Sequence, residues 1–570
     1  MAIKILCDRS ISKMRNFITP LLLSLNLFIG FSDHAHGQLF IERYGVDHLD
    51  LDYFWAMGRA EKQISNTYPL RQPSVTSYLN TITPARDDHD RYGNYLQNLY
   101  TILYGTDPQE NYKTRTRSFI ERLGFDGISK NIFGYNANLY GQYDKDVILG
   151  INPVFRLDFV HDETFKNENI NVQSTGIEAW MTWKHRIGAY VRFFDTVQRG
   201  MEYYRGRHDV YESYAGFIAR DKQSISYDHT TAYLGYSGSL FSARIGRGRH
   251  QWGPGRYHNL LLSSQQPPYD YVELRFHYRH MIFFTYLHGI LDPTPVQKKV
   301  LYYSDEGMPR KVKHQKYFAA HRIEFLPSNW LSLGLSEAVI YGDRSVELGY
   351  VIPVNIFWSE GHDLKYDDNI LWAFDTEVRF WKGLTGYGEL LLDELKMSKI
   401  GTDSWHNQAG YLGGVRWINP LGLSQHEWGI EYTRLRPFVY GHFFNINLPT
   451  HYGYSLGSTL PPNSDELRTS WKFFLRPDFT IDLFSIFRRH GTTFEGQDLV
   501  GGSIHEMAGG NLKIKEHYPF LDGKREDLQE IGVQGCFRVL ERVELKALFG
   551  MGKYIDDRYQ RFSFGLFWNY

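Results

Sequence analysis

From about residue 132 to the C-terminus, apolar and polar side chains alternate with a period of two. In "RVELKALFGM", Val543, Leu545, Ala547, Phe549 and Met551 share one face, while Glu544 and Lys546 take the other. In "LWAFDTEVRFW", Trp372, Phe374, Thr376, Val378 and Phe380 oppose Asp375, Glu377 and Arg379. "IEAWMTWK" sets Ile177, Ala179, Met181 and Trp183 against Glu178 and Lys184. Successive side chains of a strand point to opposite faces, so each segment has one apolar and one charged side. Residues 48 to 106 differ. There the spacing is helical, with Tyr92, Tyr95, Leu96, Leu99, Ile102 and Leu103 forming one stripe.

A soluble sandwich shows the same alternation. Three features favour a membrane barrel instead. The segments run to about 10–12 residues, enough to cross a bilayer when tilted. Trp and Tyr gather near segment ends, where interface belts form. The chain closes on "RFSFGLFWNY", in which Phe562, Phe564, Leu566, Trp568 and Tyr570 are every second residue. That ending resembles the signal by which insertion machinery recognises outer-membrane barrels.

Connection lengths are an independent test. Short connections fall near 540, 478, 420–425, 382, 328, 279, 238 and 185. Long ones are expected at 552–560, 490–527, 437–468, 394–407, 342–369, 290–316, 249–268, 198–227 and 160–172. Barrels of this kind have short periplasmic turns and long outer loops. The expectation is an all-β transmembrane barrel of about 18 antiparallel strands over 132–570. A small α-helical bundle over 38–131 would plug its periplasmic end.

The N-terminus adds an export signal. Lys4, Arg9, Lys13 and Arg15 precede the apolar run Phe17 to Phe31, and Ala35 and Gly37 offer small residues for cleavage before Gln38. Residues 1–37 are therefore expected to be removed, Cys7 with them. Cys536 then remains alone, which excludes an internal disulfide. Aromatic residues make up 16% of the 570 positions, and the net charge of −1 gives no reason to expect nucleic acid. No later apolar stretch is long enough for a membrane helix.

Residues 246–255 read GRGRHQWGPG and invite a phosphate-loop reading. A dinucleotide fingerprint fails because Gln251 stands at the third glycine, and a P-loop fails because Pro254 takes the lysine's place. The stretch instead opens a long connection. Trp252 followed by Gly253-Pro254-Gly255 favours a sharply turned loop, which either plugs the barrel or meets a ligand. Arg247 and Arg249 share a strand face, assigned to the lumen. Gly453-Tyr454-Ser455-Leu456-Gly457 fits a nucleophile elbow but lacks its strand–turn–helix context. His505-Glu506 lacks the second histidine of a zinc motif. Asp375, Glu377 and Arg379 read as structural lumenal charges. No catalytic residues, metal site or cofactor are assigned.

The segment "GRGRHQWGPGRYHNLLLSSQQPPYDYVELRF", 246–276, resembles the signature region of the Wzi-type capsule assembly family. The resemblance implies an outer-membrane barrel with a periplasmic helical bundle. It further implies a non-enzymatic lectin that binds capsular polysaccharide at the cell surface. Aromatic rings stack on sugar faces and basic groups meet acidic sugars. The candidate binding residues are therefore Arg247, Arg249, Trp252, Arg256, Tyr257, Trp358 and Trp405. Basic loop residues could equally hold lipopolysaccharide phosphates. The chief rival is a porin or substrate-specific channel.

Overall fold

The computed structural model describes residues 40–41, most of 51–104 and 138–569, apart from 164–167, 201–218, 221–223, 495–497, 509–514 and a few isolated positions. The expected signal peptide and the expected boundary at 131/132 lie outside the described residues.

Eighteen long antiparallel strands form a closed barrel. In chain order they are β1 Val147–Asp162, β2 Glu168–Trp183, β3 Ile187–Arg199, β4 Ser224–Ser237, β5 Phe241–Gly248 and β6 Tyr269–Tyr278. Next come β7 Ile282–Ile290, β8 Lys316–Ser328, β9 Leu331–Gly342, β10 Asn369–Trp381, β11 Leu384–Leu395 and β12 Asn407–Ile418. The last six are β13 His426–Leu435, β14 Ser464–Arg476, β15 Phe479–Thr492, β16 Leu528–Leu540, β17 Val543–Tyr554 and β18 Asp557–Trp568. Neighbours in sequence pair throughout. The aromatic last strand closes the ring against the first, from Arg561 opposite Asp162 to Trp568 opposite Phe155. Closure leaves no strand edge unpaired, which a lipid environment requires.

The alternation sorts as its period demands. Ile177, Ile245, Leu333, Phe374, Ile531 and Phe564 are exposed on the outer wall, while Glu178, Arg244, Asp375, Glu377, Glu530 and Arg561 are buried on the lumenal side. No helix among the described residues is long and apolar enough to cross a membrane. The exposed apolar belt is thus the lipid-facing surface.

All eight expected short connections are short turns at one mouth. Two of the nine expected long ones are not long. β1 and β2 are joined by residues 163–167, and β17 and β18 by Ile555 and Asp556 alone. At both places the ladder continues into what the sequence suggested was loop: β1 and β2 pair over their whole length, down to Asp162 opposite Glu168. Cross-strand pairing there gives the backbone partners that a loop would have to find elsewhere.

The N-terminal segment sits at the short-turn mouth. Helices α1 (Asp52–Ala56) and α2 (Arg91–Tyr104) bury Phe54, Leu96, Leu99, Tyr100 and Leu103 together with Ile418 of the wall. The Trp55 indole donates to the Asn329 carbonyl at 2.5 Å, the Gly383 N–H donates to the Ala56 carbonyl at 2.7 Å, and Tyr92 stacks on Phe474 at 3.7 Å. Among the described residues, helix covers less of this segment than the spacing suggests. Residues 65–68 instead run extended up the lumen. There the Asn66 N–H donates to Glu324 at 2.9 Å, and the Lys62 ammonium meets Glu377 at 2.7 Å.

Candidate functional site

The connection between β5 and β6 folds into the barrel. Gln251 and Trp252 pair with Tyr68 and Thr67, so the loop and the N-terminal segment meet in a two-residue ladder inside the lumen. Beyond it the chain turns sharply, and lumenal glutamates receive its backbone. Glu389 of β11 accepts the N–H groups of Gly255 at 2.9 Å and Leu260 at 2.8 Å, and the Asn259 amide at 3.0 Å. Glu431 of β13 accepts the N–H groups of Arg256 at 2.8 Å and His258 at 3.1 Å, and the Tyr387 hydroxyl at 2.9 Å. This approach explains the glycines. A Cβ on Gly253, whose φ is +109°, would lie 2.4 Å from Glu389 Oε1, and one on Gly255 would lie 1.9 Å from the His258 carbonyl.

The plug has its own core. Trp252, Leu260, Leu261 and Leu262 pack with Tyr269, Leu287, Phe318, Ile340, Leu391 and Leu435 on the inner wall. Moving the loop would strand two buried carboxylates, at roughly 1–3 kcal/mol for each unsatisfied group. Packing and hydrogen bonding therefore both hold the lumen filled on this side.

At the long-connection mouth lies a cavity of about 390 Å³, between connections 436–463 and 493–527. Its lining includes Tyr440, Tyr454, Ser455, Ser458, His490 and Glu506. Ring faces beside hydroxyl, imidazole and carboxylate groups form a surface that suits a sugar. A relay braces its floor. Ser458 Oγ lies 3.0 Å from His258 Nδ1, and His258 Nε2 lies 3.0 Å from Glu466 Oε1. These are the residue types of a serine nucleophile. However, Ser458 is buried, its oxygen accepts the Leu460 N–H at 3.1 Å, and Glu466 is paired with Arg488 at 2.7 Å. The relay ties the inward loop to connection 436–463.

His451 is the second tie. Its Nδ1 accepts the Asp292 N–H at 2.8 Å and its Nε2 donates to the Pro268 carbonyl at 3.2 Å, joining three long connections. Burial lowers its pKa from the ordinary histidine value to about 3. Beside it, burial alone would raise the Asp292 carboxyl, but hydrogen bonds from Lys313 and Thr294 hold it below the usual range.

The seven expected binding residues do not converge. Trp252 is 2% exposed, inside the plug. Arg256 lies deep in the lumen, 3.3 Å from Glu427, and Tyr257 lies under the Arg468 guanidinium at 4.4 Å. Arg247 shares the outward face of Ile245, not the lumenal one, and pairs with Asp270 at 3.0 Å. The lumenal arginine of β5 is Arg244, which meets Glu273 at 3.0 Å. Arg249, one residue past the strand, is half-buried where the chain turns inward. Trp358 is exposed on a helix lying outside the barrel. Trp405 alone stands at the mouth, its ring tilted against that of His406 at 3.9 Å, beside Phe438, Met507 and Tyr518. The cavity residues were less legible. Their only signal is the aromatic, Gly- and Ser-rich run "HYGYSLGS" at 451–458. Among the described residues no group of His, Cys, Asp and Glu side chains could hold a metal ion.

The family model for the capsule assembly protein Wzi matches residues 159–553. A solved structure with this architecture is Wzi of Escherichia coli, described as a carbohydrate-binding β-barrel involved in group 1 capsule assembly. It is 12% identical with a TM-score of 0.53, and the match covers 91% of this chain and 97% of that one. OprD of Pseudomonas aeruginosa is more distant, at 10% identity and a TM-score of 0.41 over 74% of this chain and 94% of its own. No curated protein matches. A closed barrel with a lipid-facing belt, together with a family match over most of its wall, leads to one conclusion: this outer-membrane β-barrel chain belongs to the Wzi capsule assembly family.

Proposed function

We propose that this protein binds capsular or other surface polysaccharide at its long-connection mouth and holds it on the cell without chemistry. The observation that carries the reading is the pairing of a lumen filled by an anchored plug with a sugar-sized cavity at the mouth. A plugged barrel is poorly suited to conduct solute and well suited to present a surface. Family membership and the carbohydrate-binding relative support the same role. In this reading the long connections face outward from the cell, and the N-terminal segment and C-terminus face the periplasm. The first 37 residues leave as a signal peptide, and the aromatic last strand guides insertion. Outer-membrane lipid and lipopolysaccharide surround the wall. Tyr454 and Trp405 are the binding aromatics. Many weak contacts along a repeating polymer would retain it by avidity.

The test is the partition of polysaccharide between cells and medium in a deletion strain complemented with wild type or with Tyr454→Ala. Total polysaccharide is expected to stay constant while the deletion moves it into the medium, with the variant in between. An unchanged partition with reduced uptake of a solute would replace this reading with the channel.

A further inference from the structure

The connection between β9 and β10, residues 343–368, takes a different route from the plug. It does not enter the lumen. It carries two short helices, α3 (Leu348–Val351) and α4 (Phe357–Leu364). Their buried residues Tyr350 and Phe357 pack with Tyr286, Tyr317, Ala319, Val339 and Tyr341. The alternation shows which side of the wall this is. On β9, Ala338 and Ile340 belong to the plug core, so Glu337, Val339 and Tyr341 point out of the barrel. On β8, Phe318 and Ala320 point in, so Tyr317, Ala319 and His321 point out. The connection is a flap folded down over the outer wall.

Beneath the flap the wall is polar. Glu337 is 1% exposed, and its carboxylate accepts the N–H groups of Phe357 at 3.0 Å and Trp358 at 2.7 Å and lies 3.1 Å from His321 Nε2. The Tyr286 hydroxyl donates to the Tyr350 carbonyl at 2.9 Å, and His288 Nε2 lies 2.9 Å from the Tyr341 hydroxyl. From Leu348 to Trp358 the outer face is the reverse: Leu348, Ile352, Val354, Ile356 and Trp358 are 75, 51, 78, 55 and 54% exposed, and polar exposure resumes at Ser359 and His362 on α4.

Height follows from strand geometry. Glu337 is six residues beyond Leu331 at the short turn. With a rise of ~3.4 Å per residue and a tilt near ~40°, it stands ~16 Å above that mouth, and Tyr341 stands ~26 Å above it. The apolar belt of such barrels is about 25 Å tall. The flap therefore covers the upper half of the belt. Below it the wall is again exposed and apolar at Leu333, Leu335, Ile323 and Phe325.

From this we infer that the flap is a membrane-embedded element, whose apolar outer face contacts lipid acyl chains of the leaflet nearer the long-connection mouth. Its inner face satisfies wall polar groups that hydrocarbon could not, and its outer face restores the apolar surface they interrupt. The run is continuous with the lipid-facing wall. In water it would be a large unshielded apolar patch. The charged stretch Asp363 to Asp368 follows where the chain climbs back to the mouth.

The test uses the full-length protein in liposomes. A thiol fluorophore is attached at Val354→Cys, with Cys7→Ser and Cys536→Ser removing both native thiols and Asp305→Cys, at the tip of an exposed hairpin, as the water-side control. Heat-modifiable migration on a gel confirms that each variant is folded. The label at 354 is expected to lose most of its emission to nitroxide lipids and none to aqueous iodide, with the reverse at 305. Quenching at 354 by iodide overturns the inference. Quenching by neither also overturns it, because protein and not lipid would then cover the face; a dimer mass would identify the cover as a second copy.

Discussion

The β5–β6 and β9–β10 connections leave the same mouth and go opposite ways. The first enters the barrel and becomes its core. The second folds down outside and becomes part of its wall. In each case buried wall glutamates accept backbone N–H groups of the incoming chain, Glu389 and Glu431 inside and Glu337 outside. What differs is the face left over. The plug turns Leu260, Leu261 and Leu262 into a closed core and leaves almost nothing exposed, whereas the flap turns its aliphatic residues outward. A carboxylate can dock a loop on either side of a barrel wall, and the surroundings of the free face decide which side is stable.

The largest expected effect comes from breaking the inner dock. Glu431→Ala strands the N–H groups of Arg256 and His258 and the Tyr387 hydroxyl, at roughly 1–3 kcal/mol for each unsatisfied donor. Chemical unfolding in detergent micelles would read it. Gly255→Val should do comparable damage, because its Cβ has no room. Released plug would also appear as conductance in a planar bilayer where the wild type shows little.

The outer dock should be less sensitive. Val354→Lys places a charge in the upper half of the belt, where the cost is about 1–2 kcal/mol, between the midplane and interface values. Folding yield into vesicles would show it, and the same substitution should leave polysaccharide retention unchanged. A smaller effect is expected at the mouth. Tyr454 is half-buried, so Tyr454→Ala should alter stability by less than about 1 kcal/mol while weakening retention measurably.

The smallest effect is acid loosening of the mouth. His451 is neutral in the folded protein because its pKa there is about 3. An unfolded or opened segment takes up the proton below about 6.5. Its stabilisation is therefore complete above that pH and is lost progressively as pH falls toward 3. Hydrogen exchange of connection 436–463 should rise between neutral pH and pH 4, and His451→Gln should flatten that rise. A flat wild-type profile would sink the idea.

Legibility followed the physics of each element. The period-two alternation placed Glu377, Phe374, Phe549 and Phe564 on their correct faces, because a strand leaves a side chain only two directions. Short turns at 382 and 478 were readable for the same reason. Arg247 was misplaced because its face depends on where β5 starts, and one residue of register reverses every side chain. The sequence left the loop of Trp252 and Arg256 open between a plug and a ligand contact, because nothing local distinguishes a loop that enters a lumen from one that leaves it.

The sequence alone determined the class of fold, the lipid-facing and lumenal faces, and the need for sharp turning at WGPG, all of which rest on local periodicity and backbone sterics. The tertiary structure decided where the long connections go and which aromatics remain accessible. It also decided which carboxylates are spent as docks. Those outcomes depend on partners far apart in the chain, such as Gly255 with Glu389, Thr67 with Trp252, and Phe357 with Glu337. No pattern within a single segment records them.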